Sequence, residues 1–371
     1  MKLARIVVAV LAATVALSVT AQSSVTLYGI LDLGYLYTNP ANGSSLSELA
    51  DGIQSQSRIG LRGAEHLGRD IYAGFALEGG ISLDTGQSQQ SGRLFGRQAW
   101  VSLGARTGEV RLGRQYGIGY EYFLSDGSPF GTTFRDAGSG SVFSSASGRL
   151  IFDNVVTLRT GDFGGFSGAV GYSFNVNGTE QAGIGNNVGA WTAGARYRSG
   201  NIYAAVTYEE FNCPDSATGT TFSGCNAQTR ENQSHWQVGG SYAFSAFRFY
   251  GMWGLEENQF NFFAVTPAKK AQVYELGVKV KLVGGEVFAA YQGRDDDWNA
   301  NLDVWGLGLT YPLSRRTNFY TFVSDTSAND TPTAQVVSGG LIVREGYTPS
   351  QISTYRDRDR LQFGAGIRHT F

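Results

Sequence analysis

The sequence predicts an all-β protein: a sixteen-stranded antiparallel transmembrane β-barrel behind a cleavable leader. Three observations predict it. Apolar and polar residues alternate with period 2 along the whole chain, as they do in strands with two unlike faces. The connections between these segments switch between tiny and long. No stretch beyond the leader offers the ~18 uncharged apolar residues of a membrane helix, while 51 Gly, 19 Tyr and 23 Phe against 7 Pro and 2 Met suit many short strands.

The chain opens with positive charge at Lys2 and Arg5, followed by an apolar run from Ile6 to Leu17 and small residues at Val19-Thr20-Ala21. That run is shorter than the ~20 residues a bilayer requires, so residues 1–21 read as a signal peptide and 22–371 as one exported barrel domain. The first strand shows the alternation plainly, with Leu27, Gly29, Leu31, Leu33 and Tyr35 on one face and Tyr28, Ile30, Asp32 and Gly34 on the other. Fifteen more segments follow, near 57–66, 70–83, 93–104, 108–115, 150–160, 166–174, 189–198, 201–211, 235–244, 247–257, 271–282, 285–293, 301–312, 317–325 and 360–371. In the last, Leu361, Phe363, Ala365, Ile367 and Phe371 oppose Gln362, Gly364, Gly366, Arg368 and Thr370.

Every second connection is tiny: Leu67 to Arg69, Ala105 to Thr107, Ser199-Gly200, Ser245-Ala246, Val283-Gly284. The others are long and polar, among them 38–56, 116–149, 212–234 and 326–359. An antiparallel barrel sorts its connections this way when turns face one compartment and loops the other, whereas a soluble sandwich has no reason to. Some sixteen strands leave an aqueous channel, unlike the roughly eight that close around packed side chains. Aromatics near the strand ends read as two interfacial girdles: Tyr28, Tyr35, Tyr37, Tyr172, Phe174, Tyr208, Phe211, Phe244, Phe247, Tyr250, Tyr311, Phe319 and Phe371.

Charge and motifs exclude other classes. Without Lys2 and Arg5 the chain keeps 27 basic against 31 acidic residues, a net of −4, which argues against nucleic acid as a partner. No Gly-x-Ser-x-Gly, His-Glu-x-x-His or phosphate-binding loop is present, so neither an enzyme nor a cofactor is expected. Ser234 and His235 are adjacent on a strand and point oppositely, so they cannot act as nucleophile and base; His235 reads as a loop-edge residue. Asp295-Asp296-Asp297 lacks the spaced oxygen ligands of a calcium loop and reads as a solvated acidic loop facing lipopolysaccharide.

Several segments resemble the Gram-negative general porins, most of all the beta-proteobacterial branch. They are Ser24-Val25-Thr26-Leu27-Tyr28-Gly29 with Asp32, Ser57-Arg58-Ile59-Gly60-Leu61-Arg62-Gly63-Ala64-Glu65, Gly96-Arg97-Gln98-Ala99-Trp100-Val101, Arg111-Leu112-Gly113-Arg114-Gln115 and the C-terminal Gly366-Ile367-Arg368-His369-Thr370-Phe371. The resemblance implies an outer-membrane homotrimer passing small hydrophilic solutes and ions, with Phe371 as the address read by the barrel assembly machinery. It also implies that the long third loop, 116–149, folds into the lumen. There Glu121, Asp126 and Asp136 would face a wall cluster of Arg58 and Arg97, with Arg149 at the loop's return. Arg62, four residues from Arg58 on one strand, shares its face. A transverse field between loop acids and wall guanidinium groups would then order ions in the constriction.

Two features depart from that pattern. General porins carry Pro-Glu-Phe-Gly at the loop tip, whereas this chain reads Asp126-Gly127-Ser128-Pro129-Phe130-Gly131 and lacks the acid after Pro129. The charge balance therefore tilts toward a weak anion preference; the alternative is a substrate-specific sugar or phosphate channel, which additional strands would favour. Parity also places Arg97 with Ala99, Val101 and Leu103, leaving Trp100 outside. A protein-facing trimer interface or a β-bulge would account for that.

Cys213 and Cys225 are the only cysteines. In an exported protein, in a stretch rich in Asn, Pro, Asp, Thr and Gly, they read as one loop disulfide, since neither has a histidine at metal-ligand spacing. Such a bond contributes about 3 kcal/mol in the chain-entropy model. Alkylation of the native, unreduced protein should label neither thiol; labelling of either would refute the bond.

Overall fold

The computed structural model describes residues 24–41, 43–124, 126–131, 134–138, 142–143, 151–176, 178–180, 182, 187–212, 231–260, 267–297, 301–328 and 359–371. The predicted leader, Arg149, Cys213 and Cys225 lie outside them.

Sixteen wall strands form the barrel. They are β1 (Ser24–Pro40), β2 (Arg58–Gly68), β3 (Ile71–Ser82), β4 (Gln98–Ala105), β5 (Gly108–Tyr116), β6 (Ile151–Thr160), β7 (Phe166–Ser173), β8 (Ala190–Ser199), β9 (Ile202–Phe211), β10 (Gln233–Phe244), β11 (Phe247–Phe260), β12 (Pro267–Leu282), β13 (Gly285–Asp296), β14 (Leu302–Pro312), β15 (Thr317–Ala328) and β16 (Arg360–Thr370). Each pairs antiparallel with the next, and β16 returns to β1 from Ile30↔Thr370 to Pro40↔Arg360. The opposite edge of β1 is shared. Its first half pairs with β2, from Ser24↔Ala64 to Ile30↔Arg58. Its second half pairs with a short strand of the first loop, Leu46–Asp51, which continues the ladder beyond the start of β2. From Leu33 to Thr38 both edges of β1 are paired, as a backbone crossing hydrocarbon requires. At the seam, Gly29 and Phe371 exchange backbone hydrogen bonds of 3.2 Å each, and the Phe371 ring occupies the space a side chain at position 29 would need.

The pleat divides each strand between lipid and lumen. On β9, Ile202 and Val206 are exposed while Tyr203, Ala205, Thr207, Glu209 and Phe211 are buried within. The girdle reading holds for Tyr35, Phe174, Phe244, Phe247, Tyr311 and Phe319, all exposed. It fails for Tyr28, Phe211 and Tyr250, whose positions in the pleat turn them inward. Four tryptophans unassigned by sequence, Trp191, Trp236, Trp253 and Trp305, stand on the outer face toward the loop end. Trp191, Trp236 and Trp305 make tilted ring contacts with Tyr172, Tyr208 and Tyr291 at 4.8, 4.5 and 4.4 Å.

Strand four begins at Gln98, later than its sequence pattern suggested. Arg97 precedes the ladder, so strand parity does not govern it. Trp100 shares the inner face with Ser102, while Val101 and Leu103 face out. The parity conflict therefore comes from a misplaced strand start, and Trp100 is an inward residue. His235 is the third residue of β10, at its loop end as read from sequence, but its side chain is buried, with Nε2 3.7 Å from Glu256.

Candidate pore constriction

The third loop leaves β5 after Tyr116 and crosses the barrel interior, and its contacts trace the route. At its root, the Ile118 N–H donates to Thr192 Oγ1 (2.8 Å) and the Gly119 N–H to Glu209 Oε1 (3.2 Å), placing the loop against β8 and β9. The Tyr203 hydroxyl donates to the Tyr122 carbonyl. Farther on, the tip presses against two glycines. A Cβ at Gly277 on β12 would lie 2.6 Å from Pro129 Cγ, and one at Gly306 on β14 would lie 2.8 Å from Phe130 Cζ. Only glycine lets the tip seat so close to the wall. Gln292 Nε2 then donates to the Ala137 carbonyl (2.8 Å) and Arg135 Nη2 to the Asp51 carbonyl (2.9 Å).

Between these anchors the loop buries Phe130 and Phe134 against Leu36, Phe288, Tyr320 and Phe322. Phe134 and Arg135 are held at φ of 60° and 52°, a left-handed conformation costing roughly 1–2 kcal/mol per residue. Phe134 makes edge-on ring contacts at 5.2–5.9 Å with Phe130, Phe288, Tyr320 and Phe322. At ~0.5–1.5 kcal/mol per pair, these offset the strain.

On the wall beside the loop, Glu78 of β3 is a hub. Its carboxylate accepts from Arg97 Nε (2.9 Å), Tyr28 Oη (2.9 Å) and Tyr116 Oη (3.0 Å), with Arg58 Nη1 at 4.0 Å. Arg97 also donates to Tyr116 Oη (2.7 Å) and to Gln56, and it is only 2% exposed. Arg58 and Arg97 thus come together as the resemblance implied, around an acid it did not include. The two differ in access: Arg97 is sealed and neutralised, whereas the Arg58 side chain keeps 20% of its surface. Arg62 stands apart, exposed, its guanidinium 5.0 Å from the Tyr28 ring centre.

Two of the loop acids pair with other arginines of the wall. Glu121 pairs with Arg159 of β6 at 2.7 Å, and Asp126 pairs with Arg198 of β8. Burial alone would raise the Glu121 carboxyl, but Arg159, with Arg111 and Arg196 farther off, holds it below the usual carboxylate range. The tether is therefore present at neutral pH and is lost only as pH falls below the range of an ordinary glutamate. Asp136 lies in the short 3-10 turn Arg135–Ala137. Glu121 and Asp126 thus meet wall arginines other than Arg58 and Arg97. Arg159 anchors the loop. Asp32 is an inward residue, bonded to the Tyr320 hydroxyl at 2.6 Å, whereas the pleat turns Glu65 outward opposite Ala73. Sequence reasoning also passed over Arg196 and Arg198; inward parity on a strand next to a short turn was the available signal.

The pattern of the Gram-negative porin family matches residues 7–331. Outer membrane porin protein 32 of Delftia acidovorans is 33% identical over the full length of both chains. An outer membrane porin of Bordetella pertussis is 31% identical, covering 82% of this chain and 89% of its own. Among solved structures, the anion-selective porin from Comamonas acidovorans superposes with a TM-score of 0.73 at 28% identity, covering 94% of this chain and all of its own.

The hub makes Glu78 the counter-charge of a buried arginine. Glu78→Gln should lower barrel stability by roughly 3–5 kcal/mol, because it leaves Arg97 buried and uncompensated, whereas Glu78→Gln with Arg97→Gln should recover most of that loss. The temperature at which the folded electrophoretic band disappears measures both. Equal loss in the single and double variants would show that the pair is not the stabilising unit.

Proposed function

The chain belongs to the Gram-negative porin family of the outer membrane, and on that premise we propose that it is a general diffusion channel with a weak preference for anions. One observation carries the preference. The loop acids Glu121 and Asp126 already have wall bases of their own, while Arg58 shares a single acid with Arg97 and the exposed Arg62 has no carboxylate within 4 Å among the described residues. The accessible charge at the Arg58–Arg62 stretch of the wall is therefore basic. Sixteen wall strands support diffusion over a dedicated channel, and the Comamonas relative carries the description anion-selective. The slightly acidic net charge matters less, since exposed charges beyond ~8 Å are largely screened at physiological salt. Residues 1–21 would direct export and be removed.

The outer surface supports a homotrimer. Strands β2, β4 and β5 face outward with Ile59, Leu61, Val101, Leu103, Val110 and Leu112, all exposed and aliphatic. The outward tryptophans lie on β8, β10, β11 and β14. Interfacial aromatics mark a wall that meets lipid headgroups, so a wall without them suits protein contact.

Two measurements test these readings. In a KCl gradient the reversal potential should show anion preference, and Arg58→Ser with Arg62→Ser should shift it toward cations; a cation preference in the unaltered protein would overturn the reading. Native electrophoresis in mild detergent should return trimers that Val101→Arg with Leu112→Arg converts to monomers. Only monomer from the unaltered chain would sink the assembly.

A further inference from the structure

On the short-turn side of the third loop, the lumen wall carries cations separate from the Arg58–Arg97 cluster. Arg196 and Arg198 on β8, Arg248 on β11 and Lys281 on β12 all lie on the inner face, within a few residues of the short turns. Arg62 and Arg111 extend the belt onto β2 and β5. Glu109 and Asp126 are engaged by Arg111 and Arg198. Among the described residues, Arg62, Arg196, Arg248 and Lys281 have no carboxylate within 4 Å. The belt has a surplus of positive charge.

The arginines are also oriented. Arg62 lies over the Tyr28 ring at 5.0 Å, Arg111 over Trp100 at 3.9 Å, Arg196 over Tyr122 at 4.6 Å and Arg198 over Tyr203 at 5.1 Å. Stacking occupies the face of a guanidinium and leaves its N–H edge for a ligand. Among the described residues, Arg196 donates from Nε alone, to Ser167 Oγ at 2.9 Å, and Arg248 from Nη1 alone, to Ser241 Oγ at 3.0 Å. Each keeps free edge donors with a fixed direction. The same stacking covers ring faces that a sugar slide would need, so the wall suits anions and not neutral saccharides.

We propose that this belt is a second, saturable binding site for small oxyanions carrying two or more negative charges, carboxylate or phosphate, on the short-turn side of the loop. It rests on the anion-preferring reading, to which it adds a site and a solute class. A carboxylate or a phosphate accepts two parallel bonds from an oriented guanidinium, and a multivalent oxyanion can bridge neighbouring arginines, which chloride cannot.

The test uses the full-length purified protein in planar bilayers, with citrate or pyrophosphate added to one side. Each should reduce the KCl current saturably, at lower concentration from the short-turn side. Block by citrate alone assigns carboxylates, block by pyrophosphate alone assigns phosphates, and block by both supports the shared chemistry. No block by either, or a reduction linear in concentration, overturns the site. Arg196→Gln with Arg248→Gln should raise the half-blocking concentration about tenfold, as expected from losing charge-assisted bonds. Arg196→Lys with Arg248→Lys should weaken the block while leaving the reversal potential unchanged, because charge stays and the fork is lost. Wild-type block in the lysine variant would reduce the belt to a diffuse field and overturn it. Loss of anion preference with the block intact would instead count against the general reading alone.

Discussion

In hydrocarbon no water is available to a peptide group, so every backbone N–H and C=O crossing the membrane must be paired within the protein. The rest of this structure follows from that constraint. The ladder has to close, and it does so where β16 meets β1 and where the short strand Leu46–Asp51 takes over the edge that β2 leaves. The terminal Phe371 completes the seam over Gly29, which has no side chain to obstruct it.

Closure makes the pleat decisive. With one face committed to lipid, a one-residue error in register would exchange the whole inner and outer sets. The inner set is therefore free to be polar and charged, and the third loop exploits it. The loop is held by hydrogen bonds at its root, by glycine seats for Pro129 and Phe130, and by the rings around Phe134. Two of its acids take part in the anchoring, Glu121 on Arg159 and Asp126 on Arg198. The same pairs that hold the loop leave these two acids matched by bases of the wall.

The buried pair of Arg97 and Glu78 shows the complementary use of charge. Two ions withdrawn from water cost several kcal/mol each unless geometry and extra hydrogen bonds compensate. Here Tyr28, Tyr116 and Gln56 supply those bonds. The result is a rigid wall feature beside more accessible arginines, a division of roles among residues of one chemical type.

The alternation of residues was enough to determine the strand number, the sorting of turns from loops and the approximate limits of all sixteen strands, because a period of 2 and a lipid face leave a direct imprint on composition. Resemblance supplied the inward course of the third loop and the neighbourhood of Arg58 and Arg97. Strand starts were less legible: the five residues before Gln98 look like strand but lie outside it, and this alone put Trp100 on the wrong face. Partners were not legible at all. That Glu121 meets Arg159, that Asp126 meets Arg198 and that Glu78 neutralises Arg97 depends on residues 38, 72 and 19 positions apart being brought within a few ångströms. Such distances are set by the curvature and closure of the whole sheet, which no local pattern records.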